Sequence, residues 1–223
     1  NLLLTFERIC AIIYTQNEKE VLNMKKNLVI TISREFGSGG HKIGELLAKE
    51  LNVPFYDKKI IDKAAEKTGL TADFIAEHEQ RYTSSLMFNL AMGNYSRTGE
   101  LPLHDKIDIV ESDIIRDYAS QGSCVIIGRC ADYVLENDFD CLNVFIYADD
   151  IKKIERIVNK YGLEPKKAEK LVKETNRSRS KHYNYFSGKI WGDRRNYDLM
   201  INSSTFTPEE CVKMIISAAE NIK

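Results

Sequence analysis

Leu28-Val-Ile-Thr-Ile32, Ser33-Arg-Glu-Phe-Gly-Ser-Gly-Gly-His-Lys42, and then Ile43, Leu46, Leu47 and Leu51 form the stretch that decides the fold. The first five residues are a continuous apolar, β-branched run, which predicts a strand buried on both faces. The last four recur at helical spacing. Between them stand Gly37, Gly39 and Gly40. Strand, glycine turn and helix make the first half of a βαβ unit. Such a turn is where an anion site is built: glycine lets the backbone approach closely, and free N–H groups and the helix dipole favour negative charge. Candidate phosphate-binding residues are therefore Gly37, Ser38, Gly39, Gly40, His41 and Lys42. The same glycines would also serve a plain strand-to-helix turn.

Outward from this stretch the alternation continues. Val53-Pro-Phe-Tyr56, Ser123-Cys-Val-Ile-Ile127, Leu142-Asn-Val-Phe-Ile-Tyr147 and Tyr197-Asp-Leu-Met-Ile201 read as further strands. Lys58–Lys67, a helix opened by the capping signature at Thr71, Ile107–Tyr118, a long polar segment over roughly 150–183, and a last helix from Pro208 read as helices. Strands alternating with helices predict a three-layer α/β/α fold around a parallel sheet of about five strands. The chain has 223 residues, 43% of them hydrophobic and 29% charged, with a net charge of −1. That suits a single α/β domain and gives no basic excess to draw nucleic acid. No run of about 18 apolar residues predicts a membrane span. The five cysteines include no CxxC pair, and Cys124 and Cys141 lie in apolar runs, so they read as reduced packing residues of a cytoplasmic protein. Residues 1–23 read as an extension outside the fold, because Met24-Lys25-Lys26-Asn27 leads straight into the first strand. Residues 24–223 then form the domain, and a homo-oligomer is compatible with it.

The general P-loop is GxxxxGK[ST]. With Gly39 as its second glycine, the first falls on Arg34 and the lysine on Gly40, while Lys42 comes two residues late. Ile32 to Gly44 nonetheless resembles the loop of the cytidylate kinase-like family of P-loop nucleoside-monophosphate kinases. Phe55-Tyr-Asp-Lys-Lys-Ile-Ile61, Val125-Ile-Ile-Gly-Arg-Cys-Ala-Asp132, Phe145-Ile-Tyr-Ala148 and Trp191-Gly-Asp-Arg-Arg-Asn-Tyr-Asp-Leu-Met-Ile-Asn-Ser203 resemble the same branch, in order, from about Lys26 to Lys223. The resemblance implies a P-loop kinase fold with an acceptor-binding helical segment at about 70–105 and a lid at about 176–195. It also implies ATP with Mg²⁺ as the donor and a small acceptor, most simply CMP or dCMP. Two departures stand out: the loop lysine is absent, and Cys130 follows Gly128-Arg129 where cytidylate kinases resemble Gly-Arg-Asp.

Phosphoryl transfer needs cations around the migrating group. Arg177, Arg179, Lys181 and His182, with Arg194 and Arg195 beyond, form a basic stretch punctuated by Gly188 and Gly192. It resembles a lid that brings Arg177 and Arg179 to the phosphates, or else it is a solvated helix face. Arg177 and Lys181 share one face, and Arg179 lies on another. Arg34, at the first loop glycine's place, supplies the missing lysine's charge in this reading. Asp57 ends the second strand on the ligand side of a parallel sheet. It accepts the acceptor's proton, orients the substrate or contacts Mg²⁺ through water, or else it caps the helix that follows. Arg129, after a strand end, suits an acceptor monophosphate or a structural ion pair. Tyr183, Tyr185, Phe186 and Trp191 read first as packing and second as a base platform. No cluster has metal-cage spacing, so Mg²⁺ is expected to arrive with ATP. The rival readings are a kinase for another small metabolite, a nucleotide-binding sensor or partner module without turnover, and a plain α/β structural protein.

Overall fold

Five strands make one sheet: β1 (Val29–Arg34), β2 (Phe55–Tyr56), β3 (Cys124–Ile127), β4 (Cys141–Tyr147) and β5 (Leu199–Asn202). Their order is β2-β3-β1-β4-β5, and every neighbouring pair is parallel. β1 is central, with Val29 opposite Cys124 on one side and Cys141 on the other. The computed structural model describes residues 27–81 and 103–222. The extension expected over 1–23, and the middle of the expected acceptor segment, 82–102, lie outside the described residues.

The period-two geometry of β1 divides the core into two layers. Leu28, Ile30 and Ile32 face α1 (Gly40–Leu51) and α8 (Pro208–Asn221), through Ile43, Leu47, Val212 and Ile215. Val29 faces α2 (Lys58–Thr68), α3 (Ala72–Arg81), α4 (Leu103–Ser120) and the short α5 (Ala131–Val134), where Ile60, Ile75, Ile107 and Ile114 are buried. Each such aliphatic side chain contributes about 1.5–3 kcal/mol on burial. The three-layer α/β/α sandwich and the parallel five-stranded sheet expected from the sequence are both present.

Helix boundaries follow local chemistry. Thr71 Oγ1 accepts from the Phe74 amide at 3.2 Å, as its capping signature predicts. Thr207 and Glu210 form a full capping box ahead of α8, with Pro208 in its first turn. The expected single helix over 150–183 is two: α6 (Asp150–Tyr161) and α7 (Pro165–Ser187). Gly162, at φ 64°, ends α6 by donating to Val158 O at 2.8 Å, and Pro165 restarts the chain as α7. Α third small core of Ile157, Ala168 and Val172 joins these two helices, with Phe36 from the glycine loop packed against it. Among the described residues no disulfide joins Cys124, Cys130, Cys141 or Cys211, and burial pushes the thiols of Cys124 and Cys141 up to about 12. No described helix is long and apolar enough to cross a membrane.

Candidate active site

The glycine loop spans the C-terminal end of β1 and the N-terminus of α1. It is anchored residue by residue. Glu35 N donates to Ile146 O at 3.0 Å. The Glu35 carboxylate accepts from Ala148 N at 3.2 Å and pairs with Lys153 at 2.8 Å. Phe36 N donates to Asn176 Oδ1 at 2.6 Å, which ties the loop to α7. Ser38 is fully buried; its hydroxyl donates to Glu35 O at 2.8 Å and accepts from Gly40 N at 3.3 Å.

The loop carbonyls turn to one guanidinium. Arg156 Nη1 donates to Gly37 O at 3.3 Å, Ser38 O at 2.9 Å and Ser203 Oγ at 3.1 Å, while Nη2 donates to Ser203 O at 2.6 Å. With its carbonyls held on that side, the amides of His41 and Lys42 stand in the first turn of α1, ahead of the intrahelical ladder. Charge-assisted hydrogen bonds are worth about 1.5–3 kcal/mol each. Arg156→Ala is therefore expected to release the loop and lower the thermal midpoint by roughly 5 °C or more, which thermal unfolding would measure.

Two cavities meet here. An open cleft of about 470 Å³ is lined by the loop and by Asp57, Arg156, Lys160, Tyr161 and Arg179. A smaller space of about 30 Å³ adjoins it, among Arg34, Arg129, Cys130, Arg179, His182 and Trp191. Arg34 and Arg179 line both. Arg179 Nη1 donates to Arg34 O at 3.0 Å, and its guanidinium lies 5.7 Å over the Phe36 ring.

Asp57 does not cap α2 with its side chain. Its Oδ2 lies 3.0 Å from His41 Nε2, and its Oδ1 accepts from Arg129 Nη1 at 2.8 Å. Burial alone would raise its pKa; the His41 hydrogen bond and the charges of Arg129 and Arg34 outweigh it and hold the carboxyl well below the usual range. A depressed carboxylate adds stability above its unfolded pKa of about 4, and that stability is lost as pH falls further. His41 is half exposed and packs edge-on against Phe55.

Arg129 is the most buried cation of the site, with 2% of its side chain exposed. It sits between Asp57 and Glu111, whose Oε1 is 3.3 Å from Nε. The chain reaches it through three successive left-handed residues, Gly128, Arg129 and Cys130, at φ 70°, 52° and 51°. One turn earlier on α4, Asp108 Oδ1 meets His182 Nε2 at 3.0 Å, and Asp108 Oδ2 is buried with no hydrogen-bond partner among the described residues. Tyr183 donates to the buried Asp132 at 2.7 Å. Burial raises the Asp132 pKa despite that bond.

The stretch expected as a lid, 176–195, is the C-terminal half of α7 followed by a turn and the short 3₁₀ segment Arg194–Asn196. Its faces divide as the spacing predicts. Arg177 and Lys181 are exposed, and Arg177 lines neither cavity; Arg179 and His182 face inward. Arg194 and Arg195 are exposed, with Arg195 paired to Asp193. Of the aromatic residues, Tyr183 is buried, Tyr185 is exposed, Phe186 packs on Tyr133 and Trp191 meets Phe145 edge-on. Lys42 is exposed at the cleft. Lys153, Arg156, Asn176, Asp108, Glu111 and Asp132 were not singled out from the sequence. The i, i+3 spacing of Lys153 with Arg156, and of Asp108 with Glu111, is the one signal they left.

A glycine loop between the central strand and the next helix, at the carboxyl edge of a parallel sheet in this order, defines a P-loop kinase fold. The model of the cytidylate kinase-like family matches residues 29–205, and the chain belongs to that family. A cytidylate kinase of Pyrococcus horikoshii is 25% identical over 199 residues, covering 89% of this chain and 91% of that protein. The crystal structure of an uncharacterized protein from Eubacterium ventriosum is similar at a TM-score of 0.68 and 26% identity, covering 87% of this chain and 99% of that one. Shikimate kinase from Bacteroides thetaiotaomicron shares the fold, with a TM-score of 0.51 at 14% identity, covering 88% and 99%.

Proposed function

We propose that the protein transfers the γ-phosphoryl group of ATP to a nucleoside monophosphate, CMP or dCMP. The donor phosphates occupy the open cleft against Gly37 to Lys42, and the acceptor phosphate approaches from the side of Asp57 and Arg129. Arg34 and Arg179, which line both cavities, neutralise charge as the phosphoryl group passes; Arg177 joins them only if α7 turns its outer face inward. The γ-phosphorus exchanges its bond to the ADP oxygen for one to an oxygen of the acceptor phosphate. The acceptor, with a second pKa near 6, is already ionised at neutral pH, so no proton has to be removed. Catalysis is then positioning and electrostatics.

The observation that carries this choice is the state of Asp57. A carboxylate held ionised between His41 and Arg129 is a weak base, poorly suited to deprotonate a sugar hydroxyl. It suits an acceptor that needs orientation instead. Mg²⁺ comes as the ATP complex and would neutralise phosphate charge. His41 stands where a P-loop carries its metal-binding hydroxyl, and both Asp57 oxygens are already engaged, so this donor set fits a metal held mainly by the nucleotide, with Asp57 reaching it through water. The reading extends to a cytoplasmic protein acting on small molecules.

Release of ADP from MgATP against a panel of nucleoside monophosphates and sugar or shikimate-type alcohols tests this. Turnover is expected with CMP or dCMP; turnover confined to an alcohol acceptor would replace the reading with that of another metabolite kinase. Gly40, at the lysine position, favours a second reading, a nucleotide-binding sensor, which predicts ATP binding with no ADP formed by any acceptor.

A further inference from the structure

A P-loop carries its lysine on the residue that here is Gly40, and its first glycine at the position that here is Arg34. Six residues apart in sequence, the two positions touch in the fold. A Cβ on Gly40 would stand 2.7 Å from Cβ and 3.2 Å from Cγ of Arg34, and 3.3 Å from Cβ of Ile146. These are atoms at the root of their side chains, so no rotamer change at Arg34 or Ile146 makes room. At the far end of Arg34 the guanidinium lies against the backbone of Gly128. A Cβ there would overlap Nη1 and stand 2.9 Å from Cζ, at a backbone φ of 70° that side chains rarely adopt. Glycine at 40 clears the stem of Arg34, whereas at 128 the near atoms are the movable end of the arginine and the left-handed backbone is what favours glycine.

We propose that Arg34 and Gly40 are an exchanged pair: the cation that a P-loop carries on the first residue of its helix stands here at the end of β1, and Gly40 is a glycine because it admits it. Arginine at 34 and any side chain at 40 exclude each other. The ligand of the relocated cation is a nucleoside triphosphate, and that half rests on the phosphotransfer reading; the steric half stands without it. The exchange explains how the family loop lacks its lysine yet keeps a cation at the loop. It also places that cation on a strand end, where it lines both cavities, instead of on the helix, where a lysine would reach along the donor phosphates alone.

The test is a mutant cycle over Arg34→Gly, Gly40→Lys and the double variant, with Gly40→Ala in both backgrounds as the mildest probe, adding only a Cβ. Thermal midpoint and the affinity for ATP itself are measured for each. With Arg34 in place, Gly40→Ala and Gly40→Lys are expected to lower the midpoint by about 5 °C and to weaken ATP binding at least about tenfold, as overpacking at a tight contact does. Arg34→Gly alone is expected to weaken ATP binding about tenfold or more through loss of the charge. In the Arg34→Gly background, Gly40→Ala is expected to leave the midpoint within about 2 °C, and Gly40→Lys to recover ATP affinity to within about threefold of the unaltered protein. A loss of midpoint from Gly40→Ala that is equal in both backgrounds overturns the exclusion. A single Gly40→Lys variant that binds ATP as tightly as the unaltered protein, or a double variant binding no better than Arg34→Gly, overturns the relocation. If the unaltered protein itself binds no ATP, the phosphotransfer reading and the relocated cation fall together, while the midpoints still decide whether positions 34 and 40 exclude each other.

Discussion

Arg34→Ala is expected to lower kcat/KM for phosphoryl transfer by about 10²–10³-fold, the cost of deleting one preorganised donor aimed at developing charge. The side chain stands where the two cavities meet, and its carbonyl receives Arg179. About tenfold of the loss should fall on ATP affinity and the rest on kcat, because the charge also counts while the phosphoryl group is between oxygens. The thermal midpoint should move little by comparison, since truncation leaves space above two glycines and removes no core side chain. Steady-state kinetics with MgATP and the best acceptor measure it. Unchanged kcat would remove Arg34 from the transfer step.

Arg129→Ala is expected to be the most destabilising single change at the site. It would leave Asp57 and Glu111 facing each other across a space now without its cation, with Glu111 only 4% exposed. Breaking a buried ion pair from one side costs about 3–5 kcal/mol, which in a chain of this size lowers the thermal midpoint by roughly 10 °C or more. The sign of the pH dependence follows from Asp57. With Arg129 present its depressed pKa keeps it ionised well into the acid range; without Arg129 the carboxyl protonates more readily, and the gap between variant and unaltered protein should narrow as pH falls below about 4. A midpoint within about 2 °C of the unaltered protein at pH 7 would mean that the three-residue cluster carries no net stability.

Much of this was legible in the residues themselves. The β-branched run Leu28–Ile32, three glycines and the helical spacing that follows are a local pattern, and they sit in the structure as strand, loop and helix. The facing of Arg177 and Arg179 is likewise a matter of helical spacing, and Arg179 alone of the two lies at the cavities. What was not legible depends on distant pairings. Asp57 read as well for a helix cap as for a site residue, because its partner Arg129 lies 72 positions away. Arg156 looked like one charge among many on an amphipathic helix, yet it holds carbonyls of a loop more than a hundred residues earlier. The break of the 150–183 segment turned on one residue, Gly162, whose left-handed backbone stops α6 where polarity alone would continue it.

We propose that this loop, without its lysine, still carries a phosphoryl group from ATP to a nucleoside monophosphate. The most direct measurement is formation of CDP or dCDP, with matching ADP, from MgATP and CMP or dCMP, resolved by chromatography. The account predicts equal amounts of the two diphosphates, formed by the unaltered protein and nearly abolished in Arg34→Ala. ATP bound in the cleft with no diphosphate formed from any nucleoside monophosphate would contradict it.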